Sequence, residues 1–317
     1  MTQPSGAPTR LVAPGVVEID TLLGGWQQAT AGYLCTGAAP VLVETGSQTS
    51  VPAVRRALFD LGIAPKDLAA IAVTHIHLDH ADGVGDLAAA FPSATIYVHE
   101  LGARHLVDPS RLIASAGRVY GDLLDTLYGR LAPTEAGRLK VLRDGEAIDL
   151  GGNRRLVALD SPGHAKHHLG FFDEGSGLLF AGDAVGVRLP EGGHLRPATP
   201  PPDFDLELAR SSLSHFASHR PRAIALAHYG VVPGAPEELL AHAAEELTRW
   251  AEVAKAAWHA GEDIAEALAA RFTLEVSNLS AAVREKVETL NGIHSNAAGL
   301  RRWLDQQQAV EQDRRTR

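Results

Sequence analysis

Apolar and polar positions alternate in short blocks over the first 230 residues or so. Residues 11–17 and 31–43 carry β-branched or apolar runs broken by glycine and proline, the pattern of hairpin strands. Val41-Leu42-Val43 runs into Glu44-Thr45-Gly46, a strand entering a tight glycine turn. The spacing of Val54, Leu58 and Leu61 predicts a helix over 51–61, and Ile71-Ala72-Val73 a short apolar strand. A helix over 83–91 is stopped by Pro92 and followed by a strand at 95–99, whereas 101–129 reads as a helical insertion. A second β-rich block places strands at 140–142, 147–150, 156–159, 169–172 and 178–181, then a helix at 211–218 and a last buried strand at 223–227. Strand–helix alternation in both halves predicts an α/β layered fold and hints at duplication.

The character changes after residue 234. Pro236-Glu237-Glu238 is a helix start, with proline near the first helical position and acids in the first turn. Leu239, Leu240, Leu247, Trp250, Ala254 and Trp258 fall roughly on one face, and helical segments continue to about residue 308. The reading is therefore a domain over 1–234 and a helical C-terminal extension over 235–317. The apolar face of the extension is expected to dock on the rest of the chain and could also serve a homodimer. Residues 188–205, rich in proline, read as an ordered loop.

Composition narrows the classes. Of 317 residues, 45% are hydrophobic and 21% charged, an ordinary globular profile. No uninterrupted apolar stretch of about 18 residues supports a membrane span. The polar start at 1–10 has no apolar segment behind a basic start, so a cytoplasmic location is expected. The formal net charge is −9, and no basic run precedes the short 314–317 tail, which disfavours nucleic acid as a partner and leaves a small-molecule substrate. Cys35 is the only cysteine, so neither an internal disulfide nor a cysteine-based zinc site can form; a buried, inert thiol is expected.

Candidate chemistry concentrates at strand ends. Thr74-His75-Ile76-His77-Leu78-Asp79-His80 follows an apolar strand, and in a loop there His75 and His77 can turn to one side with Asp79 and His80 beside them. Three imidazoles and a carboxylate within six residues are costly to bury without a cation, and zinc suits such nitrogen and oxygen donors. Asp160-Ser161-Pro162-Gly163-His164, Gly182-Asp183 and Ala227-His228-Tyr229 each add a metal-capable residue just past a further predicted strand. An α/β scaffold gathers ligands at one rim in this way. His168 is a candidate supporting residue, His167 is expected to be exposed and His99 to be structural. Tyr229 is read as either a substrate donor or a packing residue, and His294, Arg301 and Arg302 as ordinary surface positions.

The run His75-x-His77-x-Asp79-His80, followed in order by His164, Asp183 and His228, resembles the signature of the metallo-β-lactamase superfamily. The match extends from about residue 11 to 230 and includes the Thr45-Gly46 turn. Order, spacing and the helical tail resemble the glyoxalase II-like branch. The resemblance implies an αββα sandwich with His75, His77 and His164 on a first metal, Asp79, His80 and His228 on a second, and Asp183 bridging, with Asp79 and Asp183 taking part in catalysis. It implies two Zn²⁺ ions and hydrolysis of an ester, thioester, lactone or phosphodiester by a metal-bound hydroxide. Glu44 stands where the family usually has Asp; because it lies outside the ligand set, the change is expected to matter little.

Two other readings share these residues. Persulfide dioxygenases resemble the same signature yet use a single iron, which imidazole accepts as readily as zinc. A metal-binding interaction module without catalysis would use the tail as a docking surface, but all seven ligand positions carry competent residues.

Overall fold

The computed structural model describes residues 7–272 and 277–316. The first six residues of the polar start, the helical-tail positions 273–276 and Arg317 of the basic tail lie outside them. Two mixed sheets face each other. The first holds β1 (Thr9–Ala13), β2 (Val16–Asp20), β3 (Ala31–Cys35), β4 (Val41–Val43), β5 (Ala70–Ala72), β6 (Thr95–His99) and β7 (Leu139–Leu142) in that order. The second holds β8 (Ala147–Gly151), β9 (Arg154–Asp160), β10 (Leu169–Asp173), β11 (Leu178–Phe180), β12 (Ala223–Leu226) and β13 (Gly230–Val231). In each sheet four strands meander antiparallel before a helix returns the chain to a parallel neighbour. The helix is α1 (Val51–Asp60) between β4 and β5, and the helix Leu206–Ser218 between β11 and β12. The hint of duplication thus appears as one connectivity used twice.

Period-2 geometry sends alternate side chains to opposite faces, and here both faces are covered. Val41, Val43, Ala70 and Ala72 meet Leu156, Ala158, Leu178, Phe180 and Ala225 in the layer between the sheets. Their neighbours Leu42 and Ile71 point outward under Val54, Ala57 and Leu58 of α1 and under Val84, Leu87 and Ala88 of the helices that follow β5. On the other side Val157, Leu159, Leu179, Ile224 and Leu226 pack under helices. Strands buried on both faces read as near-continuous apolar runs, and these do. The layers are helix, sheet, sheet, helix.

The remaining helices run in order: α2 (Leu78–Ala81), α3 (Val84–Ala90), α4 (Glu100–Val107), α5 (Ser110–Tyr120), α6 (Leu206–Ser218), α7 (Pro236–Ala260), α8 (Ile264–Phe272), α9 (Ala281–Asn291) and α10 (Ile293–Thr316). α6 begins five residues before the predicted start, because Asp205 caps it by accepting from Leu208 N at 3.0 Å. The face of α7 expected to dock does so. Leu240, Ala243, Leu247, Trp250 and Ala254 are buried in one cluster with Leu179, Leu226 and Phe216. That face is thereby buried within the chain, with α6, α8 and α10 as its neighbours. Among the described residues no helix is long and apolar enough to cross a membrane. Cys35 is buried between the sheets, where burial pushes its thiol pKa up.

Candidate metal centre

The C-terminal ends of β5, β9, β11 and β12 share one rim, because β9, β11 and β12 run in the same direction. β5 delivers His75 and His77. Asp79 and His80 do not lie in a loop as expected but in α2, whose first turn follows directly from His77. β9 leads through Ser161-Pro162-Gly163 to His164, and Gly163 has a φ of 131° where a side chain would strike the backbone of Ala209. β11 leads through Gly182 to Asp183, and β12 to His228.

All seven predicted donors converge. The ligand atoms of His75, His77 and His164 lie within 4.8 Å of one another, as do those of Asp79, His80 and His228, and those of His75, His80 and Asp183. His77 Nδ1 lies 3.0 Å from His75 Nε2 and 3.0 Å from His164 Nε2. The Asp183 carboxylate stands between the two groups, 3.6 Å from His164 Nε2, 3.6 Å from His80 Nε2 and 3.9 Å from His228 Nε2. His228 Nε2 lies 3.1 Å from Asp79 Oδ2.

The outer nitrogens fix what the inner ones offer. His80 Nδ1 donates to Glu44 Oε2 at 2.8 Å, His164 Nδ1 to the Ala198 carbonyl at 3.0 Å and His228 Nδ1 to the Ala29 carbonyl at 2.8 Å. A neutral imidazole carries one N–H, so these bonds leave Nε2 lone pairs aimed inward. Lone pairs and carboxylate oxygens so close repel unless a cation lies among them. His80 Nε2 and Asp183 Oδ1 are buried without a hydrogen-bond partner, which is how donors waiting for a metal look. The residues fit a divalent metal.

The electrostatics agree. Burial depresses the pKa of His75 and His77 well below the usual histidine range, and the neighbouring imidazoles push them further. Burial also opposes charge on His80, but Asp79, Asp183 and Glu44 outweigh it and raise its pKa, so Nε2 favours a proton where a metal ion would otherwise take its lone pair. Asp183 is held well below the carboxylate range because His80 and His228 override its burial. The pocket is thus built for positive charge beside two anions.

Supporting residues depart from expectation in places. Glu44 matters more than its place outside the ligand set suggested, since it holds His80 and also accepts from Thr74 N at 2.7 Å. His168 is buried, takes Ser161 Oγ at 2.8 Å on Nδ1 and accepts from Asp183 N at 3.1 Å on Nε2, so it fixes the backbone of Asp183. A side chain at Gly182 would fall on this ring at 2.4 Å. His167 is half-buried, not exposed. Its ring stands 5.8 Å from that of His77, and burial lowers its pKa to about 4. His99 is structural, accepting from Leu101 N at the start of α4. The Tyr229 hydroxyl is engaged by Glu18. His294, Arg301 and Arg302 are exposed. The carbonyls of Ala29 and Ala198 escaped the sequence reading, because a main-chain acceptor leaves no mark in residue type.

Comparison with known proteins agrees with this geometry. A metallo-beta-lactamase fold-containing protein from Sulfurisphaera tokodaii is 28% identical over 225 residues, 70% of this chain and 79% of that protein. A thioesterase from Emericella nidulans is 30% identical over 162 residues, 50% of this chain and 36% of its own length. The crystal structure of an archaeal metallo-beta-lactamase superfamily protein from Sulfolobus tokodaii aligns with a TM-score of 0.68 at 23% identity, over 90% of this chain and 98% of that one. The family model described as the metallo-beta-lactamase superfamily matches residues 24–228, a span that contains both sheets' contributions to the His/Asp cluster. The chain therefore belongs to the metallo-beta-lactamase superfamily.

Proposed function

We propose that this protein is a dinuclear zinc hydrolase acting on an ester or thioester. The observation that carries the reading is the pair of donor triads, His75/His77/His164 and Asp79/His80/His228, with the Asp183 carboxylate between them. His75, His77 and His164 would hold one ion, Asp79, His80 and His228 the other, and Asp183 would touch both. When bound, such a pair supplies Lewis acidity and a water nucleophile at neutral pH.

The chain's own residues do the rest. Glu44, Ala198 and Ala29 keep His80, His164 and His228 in the tautomer that faces inward. His168 holds the Asp183 backbone. Leu78, between the two halves of the motif, belongs to an apolar cluster with Leu23, Leu124, Leu127 and Tyr128, against which Trp26, Tyr120 and Leu290 pack. Leu78 stands between His77 and Asp79 at the start of α2, so this apolar wall adjoins the donors. The wall suits the acyl part of a substrate, and the Emericella nidulans thioesterase among the relatives supports a thioester.

Protein purified without added metal should carry about two equivalents of zinc by elemental analysis. It should turn over members of a panel of thioesters, esters, lactones and phosphodiesters. His77→Ala and Asp183→Ala should bring turnover to background. Undiminished activity in either variant would remove metal catalysis, and one iron per chain with oxygen uptake on a persulfide would put a dioxygenase in its place.

A further inference from the structure

Two of the donors are oriented not by side chains but by main-chain carbonyls in irregular segments, Ala198 O for His164 and Ala29 O for His228. A loop carbonyl is only as fixed as its loop, and both loops are gripped from the C-terminal helices. Asn291, at the end of α9, donates from Nδ2 to Pro197 O at 3.1 Å. Asn296 of α10 accepts from Thr199 N at 2.7 Å and from Thr199 Oγ1 at 2.8 Å, and donates to Asn291 Oδ1 at 2.7 Å. The two peptide groups around Ala198 are therefore both held. A Cβ at Gly299 would lie 1.8 Å from Thr199 O, so α10 rests directly on the loop backbone.

The second grip is a lysine. Lys286 of α9 is 3% exposed, and its ammonium donates to Gln27 O at 2.7 Å, Gln28 O at 3.1 Å and Glu191 Oε1 at 2.8 Å. Burying an ammonium costs several kcal/mol unless it is fully paired. Here two of its bonds go to the carbonyls just before Ala29, and the third goes to the Glu191 carboxylate, while the peptides on either side of Ala198 are held by Asn291 and Asn296. Val287, next along α9, packs with Val187, Leu189 and Ala198 of that same loop.

We propose that the C-terminal helices orient the two metal sites separately, Asn296 acting on His164 through Ala198 and Lys286 acting on His228 through Ala29. Both are positioning residues. The inference rests on the two-ion reading above, and its first readout needs no metal. In metal-free, ¹⁵N-histidine-labelled full-length protein, Lys286→Met should lose the protected Nδ1–H signal of His228 and keep that of His164. Asn296→Ala should do the reverse, and Lys286→Arg should restore the first signal in part.

Titration of the metal-free chain with Co²⁺ is the second readout. Lys286→Met should loosen the ion held with His228 by roughly 10- to 100-fold, the range for partners of metal ligands. It should do so in an otherwise wild-type chain and after His77→Ala, but not after Asp79→Ala. Leu268→Ala, buried in the same helical core, should lower the melting temperature and move neither constant. Equal loosening of both ions, or a Leu268→Ala effect as large, would overturn the proposal and leave the tail a general stabiliser. Histidine signals that ignore both variants would also overturn it. A wild-type chain that takes up fewer than two ions while the histidine signals respond as stated would overturn the two-ion reading and uphold the orienting role.

Discussion

Glu44 shows how one carboxylate can serve two segments. One oxygen accepts from the backbone at Thr74, where β5 gives way to the histidine motif, and the other fixes the tautomer of His80. Replacing it by glutamine turns one arm into a donor, which meets an N–H whether it lies toward His80 or toward Thr74. Glu44→Gln should weaken binding of the ion held by Asp79, His80 and His228 by roughly 10- to 100-fold in chelator competition; unchanged affinity would mean that His80 is oriented by other contacts. At this scale the sequence was informative where chemistry resides in residue type and spacing, as for His75, His77, Asp79, His80, His164, Asp183 and His228. It was silent where the partner is a carbonyl, as at Ala29 and Ala198. It misled at His167, whose burial depends on the motif segment folding over it, with Ile76 N directed at its Nδ1.

Among elements, the β9–β10 hairpin carries a clamp between the sheets. Arg154 pairs through Nε with Asp173 at 2.9 Å and reaches Thr36 O at 2.9 Å in the first sheet's β3–β4 turn. Burial opposes charge on Asp173, but the Arg154 guanidinium, the Ser176 hydroxyl and the Gly175 N–H outweigh it and hold the pKa below the usual carboxylate range. A depressed folded-state pKa gives stability that is present above the unfolded value of about 4 and is lost as pH falls through the folded one. Asp173→Asn should therefore cost about 1–3 kcal/mol at pH 7. Its deficit against wild type should shrink below about pH 4; a deficit independent of pH in denaturant titrations would deny the ion pair this role. Strands were readable because apolar runs flanked by glycine and proline have few alternatives. The early start of α6 was missed because the Asp205 cap precedes the apolar pattern, and α2 because four residues are too few to show a period.

Over the whole molecule, α7, α8 and α10 share a core with the second sheet. Trp250 is fully buried and stacks on Phe272 at 4.6 Å between ring centroids, within the cluster that contains Leu179, Leu226 and Phe216. Calorimetry should show one unfolding transition, and Trp250→Ala should lower stability by about 3–5 kcal/mol across it. A helical tail melting separately, with the sheets intact, would contradict this packing. The layered architecture could be read from the alternation of strands and helices, but which helix covers which face depends on contacts between residues far apart in sequence.

The donors come from both halves of the sandwich: His75, His77, Asp79 and His80 follow β5 of one sheet, and His164, Asp183 and His228 follow strands of the other. A cation seated among them is a stitch across the seam. Slippage of one sheet along the other would pull its ligands apart, so packing in the seam, such as Tyr33 against Phe180 with its hydroxyl on Leu226 O, keeps the centre in focus from a distance.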